Sequence, residues 1–491
     1  MLLMKKILCV LMVILMLCTA LVACNNTSEP EVSKDVSENS DEEYVLFSNL
    51  PEKDFSEGGN PYEFKILTVG DWANAYKSVE VVAHELAPEL LQDAVTERNA
   101  RVEEQFGVRI TEIRTTSSAG MTTDIRSNAS AGSDLYDAVM PYMTDAATLA
   151  VEGLFYDLLA EDAVAFDGPW WDQSAMDTLS IDNKLFFITG DLCLLAYDCT
   201  HCLVFNRDMA DEQGVDPYQL VYDGEWTLDK MLEISKDITR DDNNDGAMDL
   251  EDVWGCLVNT NFTTSMFLAS GERLTTKDEN DLPVIAVMGN RQTEVFDKIY
   301  NLCSNTSVGH IDSSANIAKF SSCWVAASEA VASKRALFRA VAMVDVFEVA
   351  DYECSFGLLP IPKFDKEQEN YYSNVSAICA TCVAIPKTNK NYERAAIIMD
   401  AMAQASTDTV RTSYYDNLLK LRKLQGEDDE AMLDIIFEGR VYDYGILFQW
   451  GTINTFMNDI AFSGTNNFTS KYDSIEGSIE SAIEKTIEGM R

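Results

Sequence analysis

Apolar runs of strand length alternate with apolar stripes of helical spacing through the first third of the chain. Residues 64–69 and 108–113 are mostly apolar runs that predict buried strands, and residues 136–141 predict another. The stripe within residues 86–106 predicts a helix, and Gly107 directly after it is typical of a helix end. Because strands alternate with helices, the pattern indicates an α/β fold with a doubly wound, mostly parallel sheet.

The same alternation continues along the chain and gives way to helices near its end. Thr227 is predicted to cap the helix that follows it, because its hydroxyl can accept a hydrogen bond from a free backbone N–H group. Helical periodicity dominates the last quarter, so the C-terminal portion is predicted to be largely helical. The further predicted strands are residues 184–188, 203–206, 336–344, 356–361 and 376–385, and the further predicted helices are residues 227–238, 391–403, 432–437 and 475–490.

The beginning of the chain has the pattern of an exported protein. Two lysines precede an apolar run over residues 7–17, and small and then polar residues follow it. The run is shorter than the ~20 apolar residues of a membrane-spanning helix, so residues 1–23 are predicted to be a cleaved signal peptide. An uncleaved anchor is the alternative. Residues 21–24, Leu-Val-Ala-Cys, resemble a bacterial lipobox, which predicts that Cys24 carries a lipid of the palmitate type.

The segment that follows Cys24 differs in composition from the rest of the chain. Residues 24–60 are rich in Asn, Ser, Glu and Asp and contain few large apolar side chains. Such a segment is predicted to be a disordered acidic tether between the lipid and the fold, although the apolar patch at residues 44–47 is a candidate for docking on the body. The protein is therefore expected to be lipid-anchored on the extracytoplasmic face of the cell membrane.

The charge of the chain excludes several classes of partner. There are 81 acidic and 37 basic residues, which gives a formal net charge of -44. Nucleic-acid binding depends on clustered Lys and Arg that release counterions, so no nucleic-acid partner is expected. Anionic polymers and acidic lipid surfaces are poor partners for the same reason.

Of the 12 cysteines, nine remain once Cys9, Cys18 and Cys24 are set aside. Four of the nine form two pairs of CxxC spacing, which in an exported protein can be disulfides, redox pairs or metal ligands. The pairs are too far apart in sequence for a zinc ribbon, and both lie in apolar runs. This favours inert buried thiols, while disulfides, redox pairs and metal ligands stay open as alternatives. The pairs are Cys199 with Cys202 and Cys379 with Cys382.

An aspartate-rich loop follows the helix that Thr227 begins. Its oxygen side chains suit a hard cation, and Gly246 occupies the sixth position, where calcium loops turn sharply. Asp252 stands at the twelfth position, where a longer, bidentate Glu is usual. The spacing predicts a structural calcium ion, with a solvated acidic turn as the alternative, and no organic cofactor is expected. The candidate ligands are Asp241, Asn243, Asp245, Ala247, Asp249 and Asp252.

Sequence motifs of enzymes are absent from the chain. It contains no GxSxG and no HExxH pattern, and its three histidines, His84, His201 and His310, do not have metal-site or triad spacing. A glycosidase needs a pair of carboxylates, but such pairs arise by chance in so acidic a chain and do not distinguish an enzyme from a binding protein. We therefore expect a protein that is not an enzyme and has no catalytic residues.

Four features in fixed order resemble the extracellular solute-binding proteins of ABC importers, in particular the group that includes carbohydrate-binding members. They are the lipobox, Pro169-Trp170-Trp171 with the later Gly190-Asp191, the run Glu225-Trp226-Thr227-Leu228-Asp229-Lys230, and the run Phe356-Gly357-Leu358-Leu359-Pro360-Ile361-Pro362. The resemblance covers nearly the whole mature chain, and the order of the motifs is more specific than any one of them.

The resemblance implies a two-lobed, type II periplasmic-binding-protein-like fold. Its lobes would be residues 61–188 with 336–388 and residues 189–335 with 389–491. Crossing hinge strands would lie near residues 186–188, near Arg335 and near Pro386, and a solute would bind between the lobes. Closure around the solute is the form that a membrane permease would recognise, and the protein is expected to be a monomer.

An oligosaccharide is the expected solute, because the resemblance points to carbohydrates. A sugar needs aromatic platforms and short polar side chains, and parallel sheets bind ligands beyond the carboxyl ends of their strands. Four tryptophans, Trp170, Trp171, Trp226 and Trp254, are predicted to serve packing. A surface glycan hydrolase and a surface sensor or adhesion protein are the alternatives. The candidate ligand-binding residues are Asp71, Trp72, Tyr142, Asp191, Asn259, Asn374 and Trp450.

Overall fold

Two separate sheets organise the computed structural model, which describes residues 46–71, 75–160, 163–420 and 426–491. The strands are β1 Tyr62–Thr68, β2 Val108–Arg114, β3 Ala138–Met140, β4 His201–Asn206, β5 Trp254–Val258, β6 Thr275–Lys277, β7 Pro283–Ile285, β8 Val308–His310, β9 Ala336–Ala342, β10 Phe356–Leu359, β11 Ser373–Asn374 and β12 Arg440–Val441.

Helices surround both sheets. The α-helices are α1 Glu89–Phe106, α2 Ser118–Ala131, α3 Met143–Val151, α4 Gln173–Leu179, α5 Leu194–Asp198, α6 Arg207–Gln213, α7 Pro217–Tyr222, α8 Leu228–Lys236, α9 Phe262–Ala269, α10 Asn290–Cys303, α11 Ser314–Lys319, α12 Cys323–Ala332, α13 Met343–Ala350, α14 Tyr392–Ser406, α15 Thr412–Lys420, α16 Glu427–Glu438, α17 Tyr444–Phe448, α18 Phe456–Ala461 and α19 Phe468–Met490. A π-helical turn, Thr407–Arg411, follows α14, and a 3₁₀ turn, Trp450–Thr452, follows α17.

The first sheet is parallel and has the order β2-β1-β3. Its connections are the helices that the sequence pattern predicts, and Gly107 ends α1 in the left-handed conformation, with φ of 64°. Single antiparallel bridges join the sheet to later chain, Val139 to Ala384 and Ile188 to Val383. This sheet, with the helices that cover it, is lobe 1.

The second sheet is mixed and has the order β10-β4-β9-β5-β8. Strands β10, β4 and β9 pair antiparallel, whereas β9, β5 and β8 pair parallel. All seven residues of β9 are buried at the centre of this sheet. Helix α8 begins where the sequence predicts, because the Thr227 hydroxyl accepts a hydrogen bond of 3.2 Å from the Lys230 N–H. This sheet forms lobe 2.

The lobe boundaries differ from those expected. Residues 336–359 belong to lobe 2, since β9 and β10 are strands of the second sheet, whereas they were expected in lobe 1. Helix α14 was expected in lobe 2 but packs on α1 of lobe 1. The physical reason is that a buried apolar run carries no information about which sheet completes its hydrogen bonds.

Two chain segments, residues 189–200 and 374–381, pass side by side between the lobes, and we call them the hinge pair. Thr200 forms an antiparallel bridge with Val375, and the Ser376 N–H donates to the Cys199 carbonyl at 2.9 Å. The first segment leaves lobe 1 just after residue 188, close to the expected crossing. The second enters lobe 1 near residue 381 rather than at Pro386, and Arg335 lies within lobe 2.

Residues 46–60 pack on the folded body. Docking was expected only for the apolar patch at residues 44–47, and the rest of the range 24–60 was expected to be a disordered tether. Phe47 and Leu50 are buried, and the Phe47 ring lies 5.4 Å from the Phe106 ring. The Phe55 N–H donates to the Phe106 carbonyl at 2.8 Å. Two large apolar side chains, three positions apart, therefore anchor this segment on the body although its acidic composition favours disorder. Residues 24–45, with Cys24 and the predicted signal peptide, lie outside the described residues.

A buried polar cluster fixes this segment to lobe 1. Asp400 Oδ1 accepts the indole N–H groups of Trp170 at 2.7 Å and Trp171 at 2.6 Å, and Asp400 Oδ2 accepts from Gln404 at 2.8 Å. Gln404 Oε1 in turn accepts the Phe47 N–H at 3.0 Å. The two tryptophans thus hold the interior of lobe 1 together. Within the described ranges, no helix has the length and apolar character needed to cross a membrane.

Candidate ligand cleft

A cleft of about 490 Å³ lies where the two lobes meet. The lobe 2 side follows the carboxyl ends of β5 and β9, the position at which sheets of this kind bind ligands. The lobe 1 side is the loop after β1, and the hinge pair contributes its second segment. Its lining residues are Ala75, Tyr76, His201, Asn259, Asn261, Thr264, Ser322, Trp324, Val325, Ala342, Asp345, Glu348, Asn374, Ser376, Ile378, Ile446, Asn454, Thr455 and Asn458.

Apolar surface is concentrated at the start of α12 and on the hinge pair. Trp324 is 39% exposed, Val325 is 46% exposed, and Ile378 on the hinge pair is 50% exposed. Single exposed apolar side chains are common, but a group of them that borders one cleft is the kind of apolar patch that marks a binding site. The Trp324 indole is available as a flat platform on the cleft wall.

Short polar side chains form much of the remaining wall and are held by one another. The Thr264 hydroxyl donates to Asn458 Oδ1 at 2.9 Å, and Asn458 Nδ2 donates to Asn261 Oδ1 at 3.3 Å. Asn259 Oδ1 accepts the Phe262 N–H at 3.1 Å, which fixes its amide at the start of α9. These bonds orient the amide groups before any solute arrives.

His201 lies in the cleft at the start of β4, beside the hinge pair. Its Nδ1 is 2.5 Å from the Ser265 hydroxyl, which also accepts from Asn374 Nδ2 at 3.4 Å. Burial lowers the pKa of His201 to about 4, because removal from water disfavours the charged ring. At neutral pH the ring is therefore uncharged and contributes hydrogen bonding alone.

Two carboxylates, Asp345 and Glu348, project from α13. Asp345 Oδ2 accepts the Ala342 N–H at 3.1 Å, which caps the beginning of that helix. Behind them Arg339 is completely buried and donates to the Ser328 hydroxyl. Burial lowers the pKa of Arg339, and the two carboxylates oppose this change.

The predicted ligand-binding residues divide between the cleft and other places. Asn259 and Asn374 line the cleft. Tyr142 is buried directly behind it, and its hydroxyl donates to the Tyr76 carbonyl at 3.3 Å. Asp71 is exposed at the end of β1 but is not part of the described wall, and Trp72 lies outside the described residues.

The remaining two predicted residues lie away from the cleft. Asp191 borders a separate cavity of about 360 Å³, where it accepts from Tyr197 at 2.7 Å and pairs with Arg411 at 3.4 Å. Trp450 is buried, donates to the Thr486 hydroxyl at 2.8 Å and stacks on Phe448. Both side chains make their contacts within the protein. Their positions in the sequence, at a predicted strand end and in an aromatic segment, did not predict these contacts.

Sequence reasoning missed Trp324, Asp345 and Glu348. The apolar sequence around Trp324 has the composition of a core helix, and only the exposed indole marks it. Asp345 and Glu348 follow β9, so a search of every strand end would have found them. The sequence pattern assigned residues 336–344 to a strand, which overlaps the first two residues of α13, and predicted no helix there.

The aspartate-rich loop is held by bonds between its side chains and its own backbone. Asp241 accepts N–H groups from Asn244 at 2.7 Å and Gly246 at 3.0 Å, and Lys319 pairs with Asp249 at 2.5 Å. Across the ranges that the structure describes, no group of three or more His, Cys, Asp or Glu side chains is arranged to hold a metal ion. A calcium loop also uses amide and backbone carbonyl oxygens, so calcium binding by this loop stays a prediction.

Chelation tests that prediction. If the loop binds calcium, a chelator will lower the melting temperature of the wild type, because a ligand bound only to the folded state stabilises it. Asp245→Ala, which removes an exposed loop carboxylate, should abolish this difference. Asp473→Ala, an exposed carboxylate on α19, is the matched control and should keep it. An unchanged melting temperature of the wild type under chelation would contradict calcium binding.

The cysteines in the described part of the chain all carry free thiols, and eight of the nine are buried. Burial raises the pKa of Cys379 to about 11 and of Cys193 to about 12, so both thiols stay protonated at neutral pH. Three of the four CxxC cysteines, Cys199, Cys202 and Cys382, are buried as the interpretation expects, whereas Cys379 is only partly buried.

Comparisons with known proteins place this architecture. The chain matches the family described as bacterial extracellular solute-binding proteins over residues 97–416. No curated protein matches its sequence. Among solved structures it is similar to the maltose-binding periplasmic protein of Listeria monocytogenes in complex with maltose, with a TM-score of 0.56, 12% identity and coverage of 86% of this chain and 98% of that one.

A second similar structure is a cyclo/maltodextrin-binding protein complexed with maltotetraose. Its TM-score is 0.53 with 12% identity, and the alignment covers 89% of this chain and 98% of that one. These likenesses confirm the expected type II fold with two α/β lobes. The matched family consists of binding proteins rather than enzymes, in agreement with the expectation from the sequence. On the match over residues 97–416, the chain belongs to the bacterial extracellular solute-binding proteins.

Proposed function

We propose that the protein captures an oligosaccharide between its lobes and delivers it to the permease of an ABC importer, while a lipid on Cys24 holds it at the membrane. The observation that carries the proposal is the wall of the cleft. An exposed indole, Trp324, faces the same space as a set of fixed amides. A sugar presents apolar C–H faces and a rim of hydroxyls, so it complements both.

The size of the cleft and the known ligands of similar folds support the proposal. Its volume of about 490 Å³ lies within the ~300–1,000 Å³ of small-molecule sites. The two similar structures hold maltose and maltotetraose. Capture needs no chemistry, and delivery would use the closed form that a solute touching both lobes favours.

Calorimetry on the purified protein tests this function. A panel of neutral oligosaccharides of several linkages, with amino acids and peptides as comparison, should give binding to at least one oligosaccharide. Tryptophan fluorescence should change on binding because Trp324 lines the cleft. Mass spectrometry should recover the sugar intact. Binding of peptides or amino acids alone would contradict the carbohydrate proposal, and release of cleaved products would contradict simple capture.

A further inference from the structure

The charged side chains on the cleft wall all have one sign. Of the nineteen described residues that line it, two are acidic, Asp345 and Glu348, and none is lysine or arginine. His201 is neutral at ordinary pH because burial lowers its pKa to about 4. A solute that enters the cleft therefore meets negative charge that no basic side chain of this wall balances.

The two carboxylates act on the same region of space. They are three residues apart on α13, so they project from one face of the helix. Both line the cleft. Two like charges so placed repel each other, and a solute that donates hydrogen bonds or carries positive charge relieves that repulsion.

Two buried polar atoms on the wall have no partner in the described part of the chain. They are Glu348 Oε1 and Asn374 Oδ1. Asn374 is only 4% exposed, and its amide nitrogen is already used in the bond to Ser265. A buried acceptor without a donor destabilises the folded protein, because it has lost its hydrogen bonds to water. Since both atoms are acceptors, the missing partners are hydrogen-bond donors.

Arg339 does not reverse this polarity. It is near enough to Asp345 and Glu348 for their charges to raise its pKa against the effect of burial. Only its Nη1 donates to Ser328 on α12, its buried Nε and Nη2 have no hydrogen-bond partner among the described residues, and the side chain is not part of the cleft wall. The buried Arg339 charge reduces the repulsion between the two carboxylates. The surface that the solute contacts stays acidic, because Arg339 is not part of that surface.

We infer that the cleft selects polyhydroxylated solutes that carry no acidic group, and that Asp345 and Glu348 determine this selectivity. The inference rests on the proposed carbohydrate function and narrows its substrate class. Sugar hydroxyls and protonated amino groups are donors and satisfy the unpaired acceptors. Uronic acids, sulfated sugars and sugar phosphates bring a further negative charge close to the two carboxylates and leave the unpaired acceptors without a donor.

Calorimetry with six matched sugars tests the inference. The probes are trimers of glucose, glucosamine and glucuronic acid, each in α-1,4 and β-1,4 linkage, at mildly acidic pH where the amine is protonated. In the linkage that binds, the glucuronic acid trimer should bind at least roughly tenfold more weakly than the glucose or glucosamine trimer. Added salt should reduce the difference, because it screens the repulsion.

Variants assign the selectivity to the two carboxylates. Asp345→Asn and Glu348→Gln keep size and an acceptor oxygen, and each should reduce the discrimination against the glucuronic acid trimer severalfold. Glu329→Gln, which changes an exposed carboxylate on α12 outside the cleft, is the matched control and should leave it unchanged. Melting temperatures establish that each variant is folded.

The outcomes separate the two proposals. If the glucuronic acid trimer binds as tightly as the glucose trimer, or if both variants keep the full discrimination, the inference is overturned while carbohydrate binding stands. If none of the six trimers binds and the wider panel also contains no sugar that binds, the carbohydrate function fails and the inference fails with it.

Discussion

Asp400→Ala is expected to lower the free energy of unfolding by about 2–4 kcal/mol, because buried neutral donors lose their acceptor at roughly 1–3 kcal/mol each while the cost of burying the carboxylate is relieved. Asp400 is 1% exposed and accepts from Trp170, Trp171 and Gln404. Alanine would remove this acceptor from both indole N–H groups in the interior of lobe 1, whereas the Gln404 amide would keep its bond of 2.9 Å to Asn49 Oδ1. The loss should also weaken the attachment of residues 46–50, since Gln404 holds the Phe47 backbone.

Urea unfolding at neutral pH measures this effect. Asp400→Asn retains an acceptor oxygen at the same place and should be destabilised less than the alanine variant. Asp473→Ala on the surface of α19 should lie within about 0.5 kcal/mol of the wild type, as exposed substitutions usually do. An Asp400→Ala midpoint equal to that of the wild type would show that the cluster does not contribute to stability.

Trp324→Ala is expected to weaken sugar binding by about 1–2 kcal/mol, or about five- to thirtyfold, with little change in melting temperature. The indole lies on the cleft wall and is 39% exposed, so its removal takes away a contact surface rather than part of the core. Calorimetry with the best sugar of the neutral panel gives the change in affinity. Trp324→Phe should retain part of the binding, because a smaller ring still offers a flat face.

A matched aromatic tests whether the effect belongs to the cleft. Tyr222 is 48% exposed at the end of α7 and is not part of the cleft wall. Tyr222→Ala should therefore bind the sugar as the wild type does. Equal affinities of the wild type and Trp324→Ala would contradict the platform role, and a large fall in the melting temperature of Trp324→Ala would mean that the indole serves packing instead.

The sequence pattern predicted the elements of the fold better than their assembly. Periodicity located β1, β2 and the helix between them, and the capping residues Gly107 and Thr227 ended and began helices as expected. Strand direction and sheet membership were not predictable from the same runs. The apolar residues of β9 suit the centre of either sheet, and only its pairing with β4 and β5 assigns it to lobe 2.

The candidate site was predictable only where it follows a strand or the hinge. Asn259 comes directly after β5 and Asn374 belongs to β11, and both line the cleft. Trp324 was missed because its exposure depends on the space between two lobes, which no local pattern encodes. Trp450 was predicted for its aromatic character, but Phe448 and Thr486 provide its contacts. Residue type thus suggested binding chemistry, and three-dimensional arrangement decided which residues perform it.

The hinge pair links recognition to the transmission of a signal. Asn374 and Ser376 lie on one of the two segments that pass between the lobes, and both line the cleft. A solute that bonds to them contacts the axis about which the lobes would turn. Its binding free energy would therefore act directly on the angle between the two lobes. A tenfold preference for the closed form would then shift the balance of the two forms by about 1.4 kcal/mol, and under the proposed function a permease would read occupancy as a change of shape.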